Sequence, residues 1–359
     1  MDTINQNNPK TIPHSRPTLG EEEVRQVARV IESGQLAQGE VVRQFEKAMG
    51  RMVGTVGAVA TSSGTAALHL TLLAMDIGPG DEIIIPSYVC TALLNAVNYV
   101  GATPVLAEID PATFNIDPGD AKNRLTARTR AIIVPHLFGL PANLEALAGL
   151  NVPIIEDCAQ AVGSTYQGKP AGSVGHAAVF SFYATKVMTT GEGGMVVSNS
   201  TELIDRIRDL REYDNQDEYK KRYNYKLTDL QAAVGLCQLQ RLPDFIQRRR
   251  SVARRYDRAF ANLGLRLPVI DSGHIYFRYV IDLAARADAW IEALAGRGIA
   301  CARPIHKPLH SYLHLKGYHL SQRAWETSLS IPIYPTLTGE QIDRVIEAFI
   351  KTTKGLACE

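Results

Sequence analysis

The chain has 359 residues, 45% of them hydrophobic and 21% charged, and its 38 Lys and Arg against 37 Asp and Glu leave a formal net charge of +1. That balance excludes a disordered or fibrous chain and gives no global attraction to nucleic acid or to an anionic membrane. The length exceeds one compact core and predicts a large domain with a smaller one attached.

Residues 1–18 are polar, lack the apolar core of a signal peptide, and read as a flexible leader; no later apolar run is long enough to span a bilayer. From Gly20 to about Met49 the pattern is largely helical. Glu21, Glu22 and Glu23 favour a helix N-terminus, Val24, Val27 and Ile31 recur at helical spacing, and Ser33-Gly34 ends the first helix. Between Val56 and Val197, short β-branched runs alternate with helical or Gly-rich stretches: Ala58–Ala60, Ile83–Ile85, Pro104–Leu106, Ala131–Val134, Ile154–Ile155 and Met195–Val197. This predicts a wound α/β sheet of buried strands.

Helices are expected over Leu203–Leu210, Asp229–Leu239 and Ile246–Phe260, the last carrying a basic run from Gln247 to Arg255 that reads as a solvated face. A boundary near Pro243 divides a large domain (19–243) from a small C-terminal α+β domain (244–359), in which Ile275–Leu283 reads as a strand and Asp288–Ala295 and Gly339–Ile350 as helices. Five scattered cysteines, Cys90, Cys158, Cys237, Cys301 and Cys358, are odd in number and form no C-x-x-C pair. They indicate neither a disulfide framework nor a metal site, and the cytoplasm is the simplest compartment.

Three segments carry candidate chemistry. Thr61–Leu68 follows a strand and opens a helix with small hydroxyl residues, which suits a phosphate at a helix N-terminus and equally suits a plain helix cap. Ile154–Gln160 places Asp157 at the end of a buried strand, where a carboxylate can hold a ring nitrogen protonated, bind a metal or cap a turn. Phe180–Lys186 precedes the glycine-rich Thr189–Met195; a desolvated Lys186 there presents a neutral amine for carbonyl chemistry, whereas a surface lysine is the plain alternative.

In this order the segments resemble the DegT/DnrJ/EryC1/StrS family of pyridoxal-phosphate (PLP) aminotransferases of type I fold. The likeness includes Ser33-Gly34 before Gln38-Gly39, Ser63–Leu68, Pro79–Glu82, Gly101–Val105, Glu156-Asp157, Phe180–Phe182, Lys186, Gly191–Gly194 and Asn224–Ala233. The resemblance implies a mostly parallel central sheet flanked by helices, with PLP held by Lys186 as an internal aldimine. It implies that Asp157 pairs with the pyridine nitrogen, that Gln160 lies near the ring, and that Gly64, Thr65 and Ser181 hold the phosphate. It further implies a homodimer in which Asn224 reaches the neighbour's phosphate.

His306 and His310 match a segment at the substrate mouth, although loop-capping roles explain them as well. Tyr183 packs under the cofactor or is an ordinary core tyrosine. Where the family commonly stacks an aromatic on the cofactor ring, this chain has Cys90; Tyr88 takes that part through a shifted loop, or ring packing is relaxed. The implied reaction moves an amino group from L-glutamate or L-glutamine to a nucleotide-linked keto sugar. A cyclitol or other ketone is the alternative acceptor. Dehydration of a sugar with the aminated cofactor is a second alternative, disfavoured because Lys186 is present.

Overall fold

Helix signals at the start of the chain act as read. In the computed structural model, which describes residues 11–214 and 216–356, α1 (Glu21–Ser33) opens with Glu23 accepting the Gly20 N–H at 2.8 Å and closes at Gly34, whose φ is 73°. The next helix, α2 (Glu40–Val53), is capped from a distance: the Asp229 carboxylate accepts N–H groups of Gly39 at 2.8 Å and Val42 at 2.9 Å. One buried acid thereby ties the Asn224–Ala233 segment to the front of the fold.

The seven-stranded sheet uses β1 (Gly57–Thr61), β2 (Glu82–Pro86), β3 (Thr103–Ala107), β4 (Thr129–Pro135), β5 (Ile154–Asp157), β8 (Ala177–Ser181) and β9 (Gly194–Ser198). A separate two-stranded ribbon pairs β6 (Thr165–Tyr166) with β7 (Lys169–Pro170). The order across the large sheet is β1-β9-β8-β5-β4-β2-β3, with β9 antiparallel to both neighbours and the other pairs parallel. The buried strands are apolar on both faces, because helices α3 (Gly64–Ala74), α4 (Thr91–Tyr99), α5 (Pro118–Asn123) and α6 (Leu144–Ala148) connect them and α7 (Thr201–Arg211) follows the last. Strands β1, β2, β5 and β8 share one direction, so their C-terminal ends and the N-termini of α3 and α4 meet along one edge of the sheet. That edge is where ligands bind in open α/β sheets.

Ala177–Ser181, expected only as part of a lysine-bearing segment, is a full central strand, while Ile275–Leu283 yields a shorter strand, β10 (Tyr279–Asp282). The helices expected on either side of Pro243 are one continuous helix, α8 (Asp229–Phe260), with Pro243 inside it. Its first half packs through Leu242 against the sheet. Its second half, through Val252, Tyr256 and Phe260, packs in a separate core with α9 (Ala287–Ala295), α12 (Gly339–Leu356) and the β10–β11 (Ser328–Ile331) ribbon. Two short helices, α10 (Leu309–Tyr312) and α11 (His319–Thr327), complete the C-terminal part.

The basic run on α8 is not a purely solvated face. Arg249 is buried and donates to the carbonyls of Tyr276, Phe277 and Ile333, while Arg248 and Arg250 bind the carbonyls of Leu337 and His274. These carbonyls lie outside the strands and accept from guanidinium groups that offer only donors, so the helix becomes a staple to the C-terminal core. The expected leader also departs from its description in part: Ile12 is buried in that core and bridges Ile299, with its N–H donating to Gly298 at 2.9 Å. Residues 1–10 lie outside the described residues, as does Cys358. Among the described residues no helix is long and apolar enough to cross a membrane.

Candidate active site

The segment after β1 builds an anion site from backbone. Ser63 caps α3, its Oγ accepting the Ala66 N–H at 3.0 Å and its carbonyl the Ala67 N–H at 3.0 Å. The first N–H groups of the helix, at Gly64 and Thr65, are left without a partner among the described residues, and both residues line a cavity of about 240 Å³. The hydroxyl of Ser181, at the end of β8, lines the same cavity. The cap and the anion site are therefore one structure: Ser63 serves the helix while Gly64, Thr65 and Ser181 face the cavity.

Two glycines allow this closeness. A Cβ on Gly64 would stand 2.9 Å from Ser181 Cβ, and one on Gly194 would stand 2.3 Å from the Ser63 carbonyl oxygen. Gly64→Ala is expected to fold but to weaken PLP retention about tenfold or more, since overpacking here costs about 1–3 kcal/mol. Equilibrium dialysis of the cofactor checks this, and wild-type retention would contradict the assignment of the cradle.

Asp157 and Glu156 point to opposite sides of β5, as strand alternation requires. Glu156 is fully buried and structural. Its two oxygens accept N–H groups from Gly172 at 2.8 Å, Val174 at 2.9 Å and Gly175 at 2.6 Å, and it meets His136 Nε2 at 2.9 Å. Because His136 Nδ1 accepts the Ala142 N–H at 3.1 Å, it is Nε2 that donates to Glu156. These bonds engage the His136 and Glu156 atoms that lie grouped with buried Cys158. Burial opposes the Glu156 charge, but the His136 and backbone hydrogen bonds outweigh it and lower its pKa.

Glu156→Ala is expected to cost about 3–5 kcal/mol, because it strands several buried donors. With its folded pKa lowered, the carboxylate contributes stability above its unfolded pKa and loses it as pH falls through the folded value. Denaturant titrations should therefore show the gap between wild type and variant narrowing in acid; an equal gap at all pH values would contradict the account.

Asp157 faces the cavity. Its Oδ1 accepts the Ala159 N–H at 3.0 Å, which fixes the carboxylate and leaves Oδ2 for a ligand. Burial raises its pKa, offset in part by that N–H and by Lys186. Lys186 lies in the turn after β8, its backbone N–H donating to the Tyr183 carbonyl at 2.9 Å, and its Nζ stands 5.5 Å from the centre of the Phe277 ring. Burial lowers the ammonium pKa; Cys90 and Asp157 oppose this, and Arg278 adds to it. The site thus favours the free amine relative to an exposed lysine.

Cys90 lines the cavity at the start of α4, with its thiol pKa raised by burial. The remaining candidates divide. Tyr88 does not reach the site: it is fully buried, donates to the Ala324 carbonyl at 3.4 Å and packs near Phe114 and Phe138. The shifted-loop role expected for it is thereby corrected, because the ring packs in the core and not in the cavity lining. Gln160 is not in the cavity lining; its Oε1 accepts the Phe138 N–H at 2.8 Å and supports a left-handed residue at φ 59°.

His310 is a structural clasp. Its ring meets Ser87 Oγ at 2.7 Å and Gln322 Oε1 at 3.0 Å, joining the loop after β2 to α10 and α11. His306 is exposed, and its carbonyl accepts the Trp325 indole N–H at 2.9 Å. Asn224 is exposed and absent from the lining of its own cavity. Tyr183, 46% exposed, is no core residue and lines the cavity with Glu192 of the Gly191–Gly194 turn.

A molecule bearing an aldehyde, a basic ring nitrogen and a phosphate finds a partner for each group here: the Lys186 amine, the free Asp157 oxygen, and the unpartnered N–H groups of Gly64 and Thr65. The sheet and this site together define a PLP-dependent transferase of type I fold, and PLP is its cofactor.

Comparison with known proteins narrows the class. Residues 17–350 match the DegT/DnrJ/EryC1/StrS aminotransferase family. The chain is 38% identical over 334 residues to GDP-perosamine synthase of Caulobacter vibrioides, covering 86% of this chain and 89% of that one. It is 36% identical to the spore coat polysaccharide biosynthesis protein SpsC of Bacillus subtilis, over 96% and 97% of the two chains. Solved structures of Spr1654 from Streptococcus pneumoniae, in PMP and PLP forms, superpose with TM-scores of 0.92 and 0.91 at 28% identity; the PMP form covers 97% of this chain and 99% of that one. The chain belongs to the DegT/DnrJ/EryC1/StrS aminotransferase family and is a PLP-dependent aminotransferase.

Proposed function

We propose that the enzyme transfers an amino group from L-glutamate or L-glutamine to the keto group of a nucleotide-linked sugar. The observation that carries the amino-transfer part is the Lys186 amine, whose free form is favoured by burial, beside the Asp157 carboxylate in a cavity with an anion cradle. The sugar acceptor is supported by the 38% identity to GDP-perosamine synthase.

When bound, PLP supplies an aldehyde for covalent attachment and a protonated ring that withdraws electrons from the substrate carbon. Lys186 Nζ would hold it through that aldehyde and, as the free amine, would move a proton on and off the donor Cα. Asp157 keeps the proton on the ring nitrogen. Gly64, Thr65 and Ser181 fix the phosphate, so the reacting atoms stay within reach of Nζ.

Incubation with a donor and a nucleoside-diphosphate keto sugar should give the amino sugar by mass spectrometry. Amination of a cyclitol ketone alone, or loss of water without gain of nitrogen, would overturn the acceptor or the reaction. The proposal includes a cytoplasmic homodimer with Asn224 serving the neighbour's phosphate, in keeping with its exposure away from its own cavity. Sedimentation should find a dimer, and a fully active monomer would refute the shared site.

A further inference from the structure

His69 takes no part in lining the cofactor cavity, yet it stands on α3, the helix whose first turn opens that cavity. It is buried, and its Nε2 has no hydrogen-bond partner among the described residues. Burial and the nearby Lys221 lower its pKa, so the ring is neutral at pH 7. A buried nitrogen without a partner is destabilising, and a leucine or phenylalanine would fill the slot without it. What the imidazole adds over an apolar side chain is the contact of its other nitrogen.

That nitrogen, Nδ1, meets the Tyr225 hydroxyl at 3.2 Å. The imidazole packs against Tyr223 and Tyr225 with ring centres 4.9 and 5.9 Å away, and the two tyrosine rings stack on each other at 5.1 Å. Backbone bonds fix the same segment. Tyr223 and Tyr225 donate to the carbonyls of Leu210 and Arg211 at 2.9 and 3.0 Å, and the Tyr225 carbonyl accepts the Ser62 N–H at 2.8 Å. Ser62 precedes the Ser63 cap, so Tyr225 is tied both to the start of α3 and, through His69, to its body. Rings two residues apart that stack together lie on one side of the chain, and the residue between them points the other way. That residue is Asn224, and it is exposed.

We propose that His69 is a positioning residue: by clasping Tyr223 and Tyr225 to α3 it presents Asn224 to the phosphate of the neighbouring subunit. The inference rests on the homodimer with a shared site. Each α3 then serves two phosphates, its own through the Gly64 and Thr65 N–H groups and the neighbour's through His69 and Asn224. An amide held at a phosphate adds a charge-assisted hydrogen bond, so misplacing it weakens cofactor binding. Loss of the His69 contact is therefore felt in the neighbour's site and not in the chain's own.

The test measures the PLP concentration that half-saturates the protein, read by borohydride fixation on Lys186, in wild-type, variant and mixed dimers. Asn224→Ala is expected to raise it roughly 30-fold and His69→Phe, which keeps ring packing, roughly tenfold, both as intact dimers. Tyr225→Phe removes only the hydroxyl and should match His69→Phe without adding to it.

Mixed dimers locate the effect. Lys186→Ala paired with His69→Phe leaves one lysine, in the His69→Phe chain, and its phosphate meets an Asn224 backed by a native His69. Half-saturation should return to within about twofold of a dimer pairing Lys186→Ala with wild type. Wild type paired with a chain carrying both Lys186→Ala and His69→Phe should keep the roughly tenfold loss. Where His69→Phe fails to fold, Tyr225→Phe enters the same mixed dimers with the same expected result.

A loss that stays with the His69→Phe chain's own lysine would overturn the role of His69 and leave the shared site standing. So would wild-type affinity in His69→Phe and Tyr225→Phe beside a weakened Asn224→Ala. A fully loaded monomer, or an Asn224→Ala dimer that binds PLP as the wild type does, would overturn the shared site and the role of His69 with it.

Discussion

Lys186→Ala is expected to lower turnover roughly 10⁴-fold while leaving the fold intact. Two functions vanish at once: covalent retention of the cofactor and the proton transfer at the substrate carbon. Among the described residues no other amine stands in the cavity lining, so none of them substitutes. Burial already disfavours the Lys186 charge, and removing it should not destabilise the protein. Steady-state rates and thermal melts check both halves. A small amine added to the variant should restore part of the proton transfer, which a merely structural lysine would not allow. Turnover within about tenfold of wild type would contradict the assignment.

Asp157→Asn should cost roughly 10²–10⁴-fold in turnover with cofactor still bound, because the amide retains the acceptor for the Ala159 N–H but cannot hold a proton on the ring nitrogen by charge. Stability should move the other way. Burial raises the Asp157 pKa, so in the cofactor-free protein the ionised form is penalised in the native state. The penalty is absent below the unfolded pKa, grows as pH rises through the carboxylate range, and is fully present above the folded value. Cofactor-free Asp157→Asn should therefore melt at or above wild type near neutral pH and lose that advantage in acid. A variant less stable than wild type at pH 7 would show that Asp157 is chiefly a structural cap.

Much of this site was legible because buried strands and phosphate sites impose local rules. A strand covered on both faces must be apolar throughout, which marked Ile83–Ile85 and Ala131–Val134, and a backbone anion site needs small residues at a helix start, which marked Ser63–Ala67. Residues whose partners are distant in sequence were not legible. His310 reads like a substrate ligand until Ser87, 223 positions away, takes its ring nitrogen. Tyr88 follows a loop whose direction the sequence leaves open, and a core slot wins over the cavity.

The same limit hid the continuity of α8. Pro243 suggested a break, but packing on both cores carries the helix through it. Arg249 looked solvated because its carbonyl partners at Tyr276, Phe277 and Ile333 lie on other elements. Arg278 and Phe277 gave no signal, since neither belongs to a motif and both matter only through their nearness to Lys186.

The most direct measurement is borohydride reduction of the PLP-treated protein followed by peptide mass mapping. The account predicts one stable phosphopyridoxyl addition on the peptide carrying Lys186, absent when L-glutamate or L-glutamine is added first and absent from Lys186→Ala. An addition on another lysine, or none, would contradict the role given to Lys186.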